Sequence, residues 1–125
     1  MPAAQYHLTV DIGATFELSF TFMVASSSVD PTPVPMDLNG YTALSQIRDA
    51  YGNPNYLAQM TVSFPPSGST TGSTSSAGVL VLSLSAAQTA ILPTLRGVWD
   101  LKLIQGSTVL RVVEGEAWLK PQVSI

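Results

Sequence analysis

The sequence predicts an all-β chain, an antiparallel β-sandwich of seven to eight strands with one short helix, occupying residues 1–125 as a single domain. Three observations predict it. Apolar and polar residues alternate at period two through most of the chain, the pattern of strands with one buried face. Clusters of Gly, Pro, Asn and Ser break those runs at short intervals, as turns do. A chain of 125 residues that is 46% apolar has enough material for one core and can bury roughly two thirds of its unfolded surface.

The elements follow in order. "QYHLTV" sets Tyr6, Leu8 and Val10 on one side of a short strand that Asp11 and Gly13 end. "TFELSFTFMV" sets Phe16, Leu18, Phe20, Phe22 and Val24 on one face of a longer strand, opposite Glu17, Ser19, Thr21 and Met23. Residues 26–40, "SSSVDPTPVPMDLNG", hold prolines at 31, 33 and 35 and end in Asn39-Gly40. This reads as an exposed loop of polyproline character and then a turn, suited neither to a helix nor to a central strand. "YTALSQIRD" resumes a strand, "AYGNPN" turns it, and "YLAQMTVSF" begins the next. Residues 65–78, "PPSGSTTGSTSSAG", are low in complexity and read as a second exposed loop with nothing to bury.

"VLVLSLS" is a strand apolar on both faces, and "SAAQTAIL" after it is the helix. Ser85 with Gln88 three residues on fits a capping box, the alanines favour the helix, and Pro93 follows its end. "GVWDLKLIQGSTVLRVVEGEAWLKP" is a hairpin turned at Gly106-Ser107, which sets Gln105 against Thr108, Leu103 against Leu110 and Leu101 against Val112. Lys102 then faces Arg111, and Asp100, diagonal to Arg111, relieves that like-charge contact on the solvent side. Trp99 and Trp118 both read as core residues. The strand count and the single helix give the sandwich immunoglobulin-like proportions.

Charge limits the possible functions. Five Lys/Arg against eight Asp/Glu leave a net charge of -3, and charged residues are only 10% of the chain, against ~25% in a usual soluble domain. The basic residues are scattered and make no stripe for a phosphate backbone, so no nucleic-acid partner is expected. No apolar run approaches the ~20 residues of a membrane span, and "MPAAQYHLTV" lacks the charged start and apolar stretch of a signal peptide. The expectation is a chain made in a cytoplasm, without a membrane partner. The absence of cysteine removes disulfides and thiol chemistry.

No constellation for catalysis, metal or cofactor is expected. His7 is the single histidine and has no companion ligands, so it reads as a surface residue. Glu114 and Glu116 lie at i and i+2, about 7 Å apart on one strand face, near the separation of paired glycosidase carboxylates. Such a pair needs a cleft that desolvates one acid, and Gly115 between them reads as the mark of a bulge. "GSTTGS" lacks the lysine and the helix of a phosphate loop. A binding role is open to "AYGNPNY", where Tyr51, Asn53, Asn55 and Tyr56 combine rings and amides as a glycan site does.

Two patches carry a resemblance. "MDLNGYTALSQIRDAYGNPN" and "LSLSAAQTAILPTLRGVWDLKLIQGSTVLRVVEGEAWLKPQVS", with "DIGATFELSFTF" before them, resemble segments of small virion structural proteins of tailed bacteriophages. They are similar to the N-terminal domain of phage baseplate upper proteins. The resemblance implies a non-enzymatic virion component, made in the host bacterial cytoplasm, with an immunoglobulin-like sandwich present in many copies. It would dock onto other phage structural proteins or onto its own copies in a tail or baseplate. A capsid decoration or cement protein, or a carbohydrate- or receptor-binding module, is the alternative. The resemblance supplies no catalytic residues, and the chain departs from it at Val29 to Pro35 and Ser67 to Ser76. Loops on a rigid scaffold carry partner specificity, so Pro31, Pro33, Pro35, Ser67, Thr70, Thr71 and Ser73 are the expected partner contacts.

Overall fold

A computed structural model describes residues 4–25, 29, 32–50, 52, 55–65, 69–73, 77–93 and 95–121. The chain is all-β, with strands β1 (Ala4–Gln5), β2 (Leu8–Asp11), β3 (Phe16–Thr21), β4 (Met23–Ala25), β5 (Pro33–Pro35), β6 (Thr42–Arg48), β7 (Ala58–Gln59), β8 (Thr61–Ser63), β9 (Val79–Leu84), β10 (Leu95–Gln105) and β11 (Thr108–Lys120). Helix α1 (Ala86–Ala90) separates β9 from β10. One sheet runs β1-β11-β10-β6-β7, with β2 also on β11; a second runs β3-β9-β8; a third is the ribbon β4-β5.

The two larger sheets share one buried cluster. Leu8, Val10, Ile47, Trp99, Leu101, Leu103, Val113, Ala117 and Leu119 enter it from the first sheet, and Leu80, Leu82 and Leu84 from the second. Phe16, Leu18, Phe20 and Phe22 pack against it from β3 and its C-terminal end. Rings clasp the sheets together: Phe20 stacks on Trp99 at 6.1 Å, and Tyr6 meets both edge-on, at 5.6 Å from Phe20 and 6.4 Å from Trp99.

Several sequence expectations hold in detail. Ser85 caps α1, its side chain accepting from Gln88 N while Gln88 Oε1 accepts from Ser85 N. The cap matters because a helix of five residues cannot persist on its own propensity. Buried Thr89 ties the helix down, its hydroxyl accepting from Gly13 N and donating to Ala14 O at 2.8 Å. The hairpin turns at Gly106-Ser107 with Gln105 opposite Thr108, Leu103 opposite Leu110 and Lys102 opposite Arg111. Gly106 stands at φ +60, the left-handed value that the first position of such a turn requires.

The long strand expected over residues 16–24 divides at Phe22. Its first part pairs with β9 and its second with β5, and Phe22 N turns aside to bond Gly78 O. Within the proline segment, expected as a loop, Pro33–Pro35 form the edge strand β5. Met36 N donates to Phe22 O, so even-numbered residues of β5 face β4, and the nitrogens of Pro33 and Pro35 lie on the outer edge. A row of donor-less nitrogens is what keeps another strand from adding there.

"YLAQMTVSF" also serves two sheets: β7 pairs with β6, and β8 pairs with β9. The crossing falls at buried Met60, whose N bonds Ser45 O. The Ser/Thr-rich loop is partly strapped down. Phe64 and Ser69 form a bridge, Gly72 N donates to Tyr41 O, and Gly40 N donates to Gly72 O. The expected antiparallel sheet is mixed, since β1 and β2 run parallel to β11.

One irregularity reorganises β11. Lys102 pairs with Arg111 but Leu101 pairs with Val113, so Val112 is an extra residue and the pairing expected between Leu101 and Val112 does not form. Continued without this bulge, β11 would turn Glu114 and Glu116 inward. Burying unpaired carboxylates costs several kcal/mol each, against about 1 kcal/mol for one ladder hydrogen bond, and the bulge is the cheaper solution. Trp118, expected in the core, consequently lies on the outer face and is 37% exposed. Gly115 does not mark the bulge. It gives clearance, because a Cβ there would stand 2.2 Å from Tyr6 O.

Candidate functional site

The charged residues of the last hairpin form a surface network. Arg111 lies 3.4 Å from Asp100 and 3.6 Å from Glu114. Its side chain is 52% exposed, so these pairs contribute at most about 1 kcal/mol. Glu114 also accepts from Gln5 Nε2. Glu116 and His7 are exposed on the strand and at the β1–β2 junction. Among the described residues no cluster of three His, Cys, Asp or Glu is placed to hold a metal.

A concave feature lies elsewhere, where the chain leaves β7 for β8. An open groove of about 510 Å³ is lined there by Thr42, Tyr56, Gln59, Met60, Thr61 and Thr70, among others. It forms because β7 belongs to one sheet and β8 to the other, so the edges diverge around Met60 while the strapped loop at Ser69–Ser73 brings Thr70 alongside. Its walls are uncharged. Gln59 is held by a relay in which Arg48 donates to Gln46 Oε1 at 2.7 Å and Gln46 Nε2 donates to Gln59 Oε1 at 3.1 Å. That relay engages the carbonyl of Gln59, a residue of the groove's lining, and leaves its amide N–H groups as donors. The Thr42 hydroxyl donates to Ile104 O at 3.4 Å, which leaves its lone pairs as acceptors. Tyr56 is 52% exposed.

The residues expected to bind are thereby redistributed. Tyr56, a candidate glycan residue, and Thr70, a candidate loop contact, line the same groove. Asn55 is exposed beside it in sequence. Thr71 is exposed, its N–H donating to Ser69 Oγ, and Ser73 is half-buried. Pro33 and Pro35 are exposed on β5. Tyr51, Asn53, Pro31 and Ser67 lie outside the described residues. Sequence reasoning missed Thr42, Gln59, Met60 and Thr61, which carry no motif and meet only because a strand changes sheets.

A second surface is apolar. On the β4-β5 ribbon, Val24 lies opposite Val34 and Met23 opposite Pro35, and Met23, Val24 and Val34 are 48%, 45% and 37% exposed. Trp118 presents a third type of surface, its ring flanked by Arg96 at 4.9 Å and Lys120 at 5.9 Å. No family model matches the chain, and no curated protein matches it.

Proposed function

We propose that this chain is a non-enzymatic structural protein of a tailed-phage virion, an immunoglobulin-like sandwich that docks in multiple copies onto other virion proteins of the tail or baseplate. The strand order supports the fold reading. The order β3-β9-β8 corresponds to B-E-D, and β11-β10-β6-β7 corresponds to G-F-C-C′, the arrangement of variable-type immunoglobulin sheets. The segments that resemble phage proteins supply β3, β6 beside the edge strand β7, the end of β9, and then α1, β10 and β11.

The observation that carries the functional reading is the β4-β5 ribbon. It exposes adjacent apolar side chains while prolines block the outer edge of β5, so a neighbour that covers it meets its faces and cannot add a strand beside β5. The low-charge surface suits this, because burying it desolvates few ions. Such contacts withstand about 1 M salt, which screens exposed charge pairs to about 3 Å.

The test is composition of purified particles. The chain is expected in stoichiometric multiple copies, retained after a wash at about 1 M salt, and Val34→Asp is expected to fold yet fail to incorporate. Absence of the wild-type chain from particles overturns the reading. Antibody labelling viewed by electron microscopy separates tail from capsid, where a decoration protein would use the same block.

A further inference from the structure

We propose that the groove at the β7–β8 crossing is a binding site for a neutral oligosaccharide. The inference rests on the groove alone and is independent of where the protein resides. A sugar ring offers an apolar C–H face and a rim of hydroxyls that both donate and accept. It is recognised by an aromatic face together with donors and acceptors fixed in place. Tyr56 supplies the half-exposed ring. Gln59, clamped through its carbonyl by Gln46, supplies an oriented amide donor. Thr42, committed as a donor to Ile104 O, supplies an acceptor, and the hydroxyls of Thr61 and Thr70 do either.

The volume of about 510 Å³ falls within the roughly 300–1,000 Å³ of small-molecule sites. The charge of the lining selects the class. Among the described residues no Lys, Arg, Asp or Glu lines the groove, so an acidic sugar would give up water around its carboxylate and gain no ion pair. The relay from Arg48 to Gln46 to Gln59 sets the orientation of the amide before any ligand arrives. Fixing it in advance reduces the ordering cost of binding. Gln46 is accordingly a positioning residue.

The experiment titrates the full chain with lactose, cellotriose, maltotriose and chitotriose to about 10 mM, a range that detects even millimolar affinity, with 3′-sialyllactose as the acidic probe. Nuclear magnetic resonance follows the Gln59 side-chain amide and the Tyr56 ring. At least one neutral sugar is expected to shift both signals, with affinity at least tenfold weaker in Tyr56→Ala and severalfold weaker in Gln46→Ala. Both variants are expected to keep their unfolding midpoint. Silence of both signals across the neutral probes overturns the proposal, as does 3′-sialyllactose binding as tightly as lactose. Unchanged affinity in a folded Tyr56→Ala also overturns it.

Discussion

Trp99 and Trp118 sit on adjacent strands of one hairpin, yet one is 1% exposed and the other 37%. Trp99 has its indole N–H donating to Tyr6 O at 2.8 Å and its ring stacked on Phe20. Trp118 lies across from Arg96 on the outer face, under two cations. The difference lies in position relative to Val112. Before that residue, Leu110 shares a face with Leu103; after it, Val113, Ala117 and Leu119 take the inner face. A single unpaired residue therefore decides whether Trp118 joins Trp99 in the core. In a strand of period two, facing is a matter of parity, and parity is reset by one insertion.

Deletions break this comparison most sharply. Removing Ala117, beyond the bulge, should turn Leu119 to solvent and Trp118 inward if the bulge is kept, or turn Glu114 and Glu116 inward if it closes. The expected outcome is loss of cooperative unfolding by circular dichroism. Removing Val112 restores regular pairing without changing which residues face the core. It should cost only the part-buried valine, about 1–2 kcal/mol, with Trp118 fluorescence still that of an exposed indole. Equal damage from the two deletions would show that the bulge is not what sets the facing.

Single substitutions sharpen the comparison. Trp99→Ala should lower stability by about 3–5 kcal/mol through the cavity it leaves. Trp118→Ala should cost about 1 kcal/mol, the loss of two exposed cation–π contacts. Denaturant midpoints measure both, and similar losses would contradict the assignment of the two faces. The smallest effect is expected at the ion pairs beside Val112. Arg111→Ala should change stability by less than about 1 kcal/mol, and that difference should vanish as salt is raised.

Much of the fold was legible because it is locally encoded. Alternation found β2, β3, β6, β10 and β11, a run apolar on both faces found β9, Ser85 and Gln88 found the helix start, and Gly106-Ser107 found the turn and the first residues of its register. The expectation that both tryptophans are core residues held for Trp99 and not for Trp118. The parallel placement of β1 and β2 on β11 was not legible, because it joins the two ends of the chain. Nor was the division at Phe22, whose N–H donates to Gly78 O while its C=O accepts from Met36 N. The site divides similarly: Tyr56 and Thr70 stood out as exposed loop residues, but nothing local indicates that they share a groove with Thr42 and Gln59.

By itself the sequence determined the β class, the short capped helix, the hairpin turn and the outward charges beside it. Each of these depends on periodicity and turn chemistry within a few residues. Tertiary structure alone decided the bulge at Val112, the exposure of Trp118, the passage of Tyr6 over Gly115 and the groove at Met60. Those depend on which distant backbone lies alongside, and the free energy that selects among them, between buried carboxylates, close-packed rings and ladder bonds, exists only once the sheets have met.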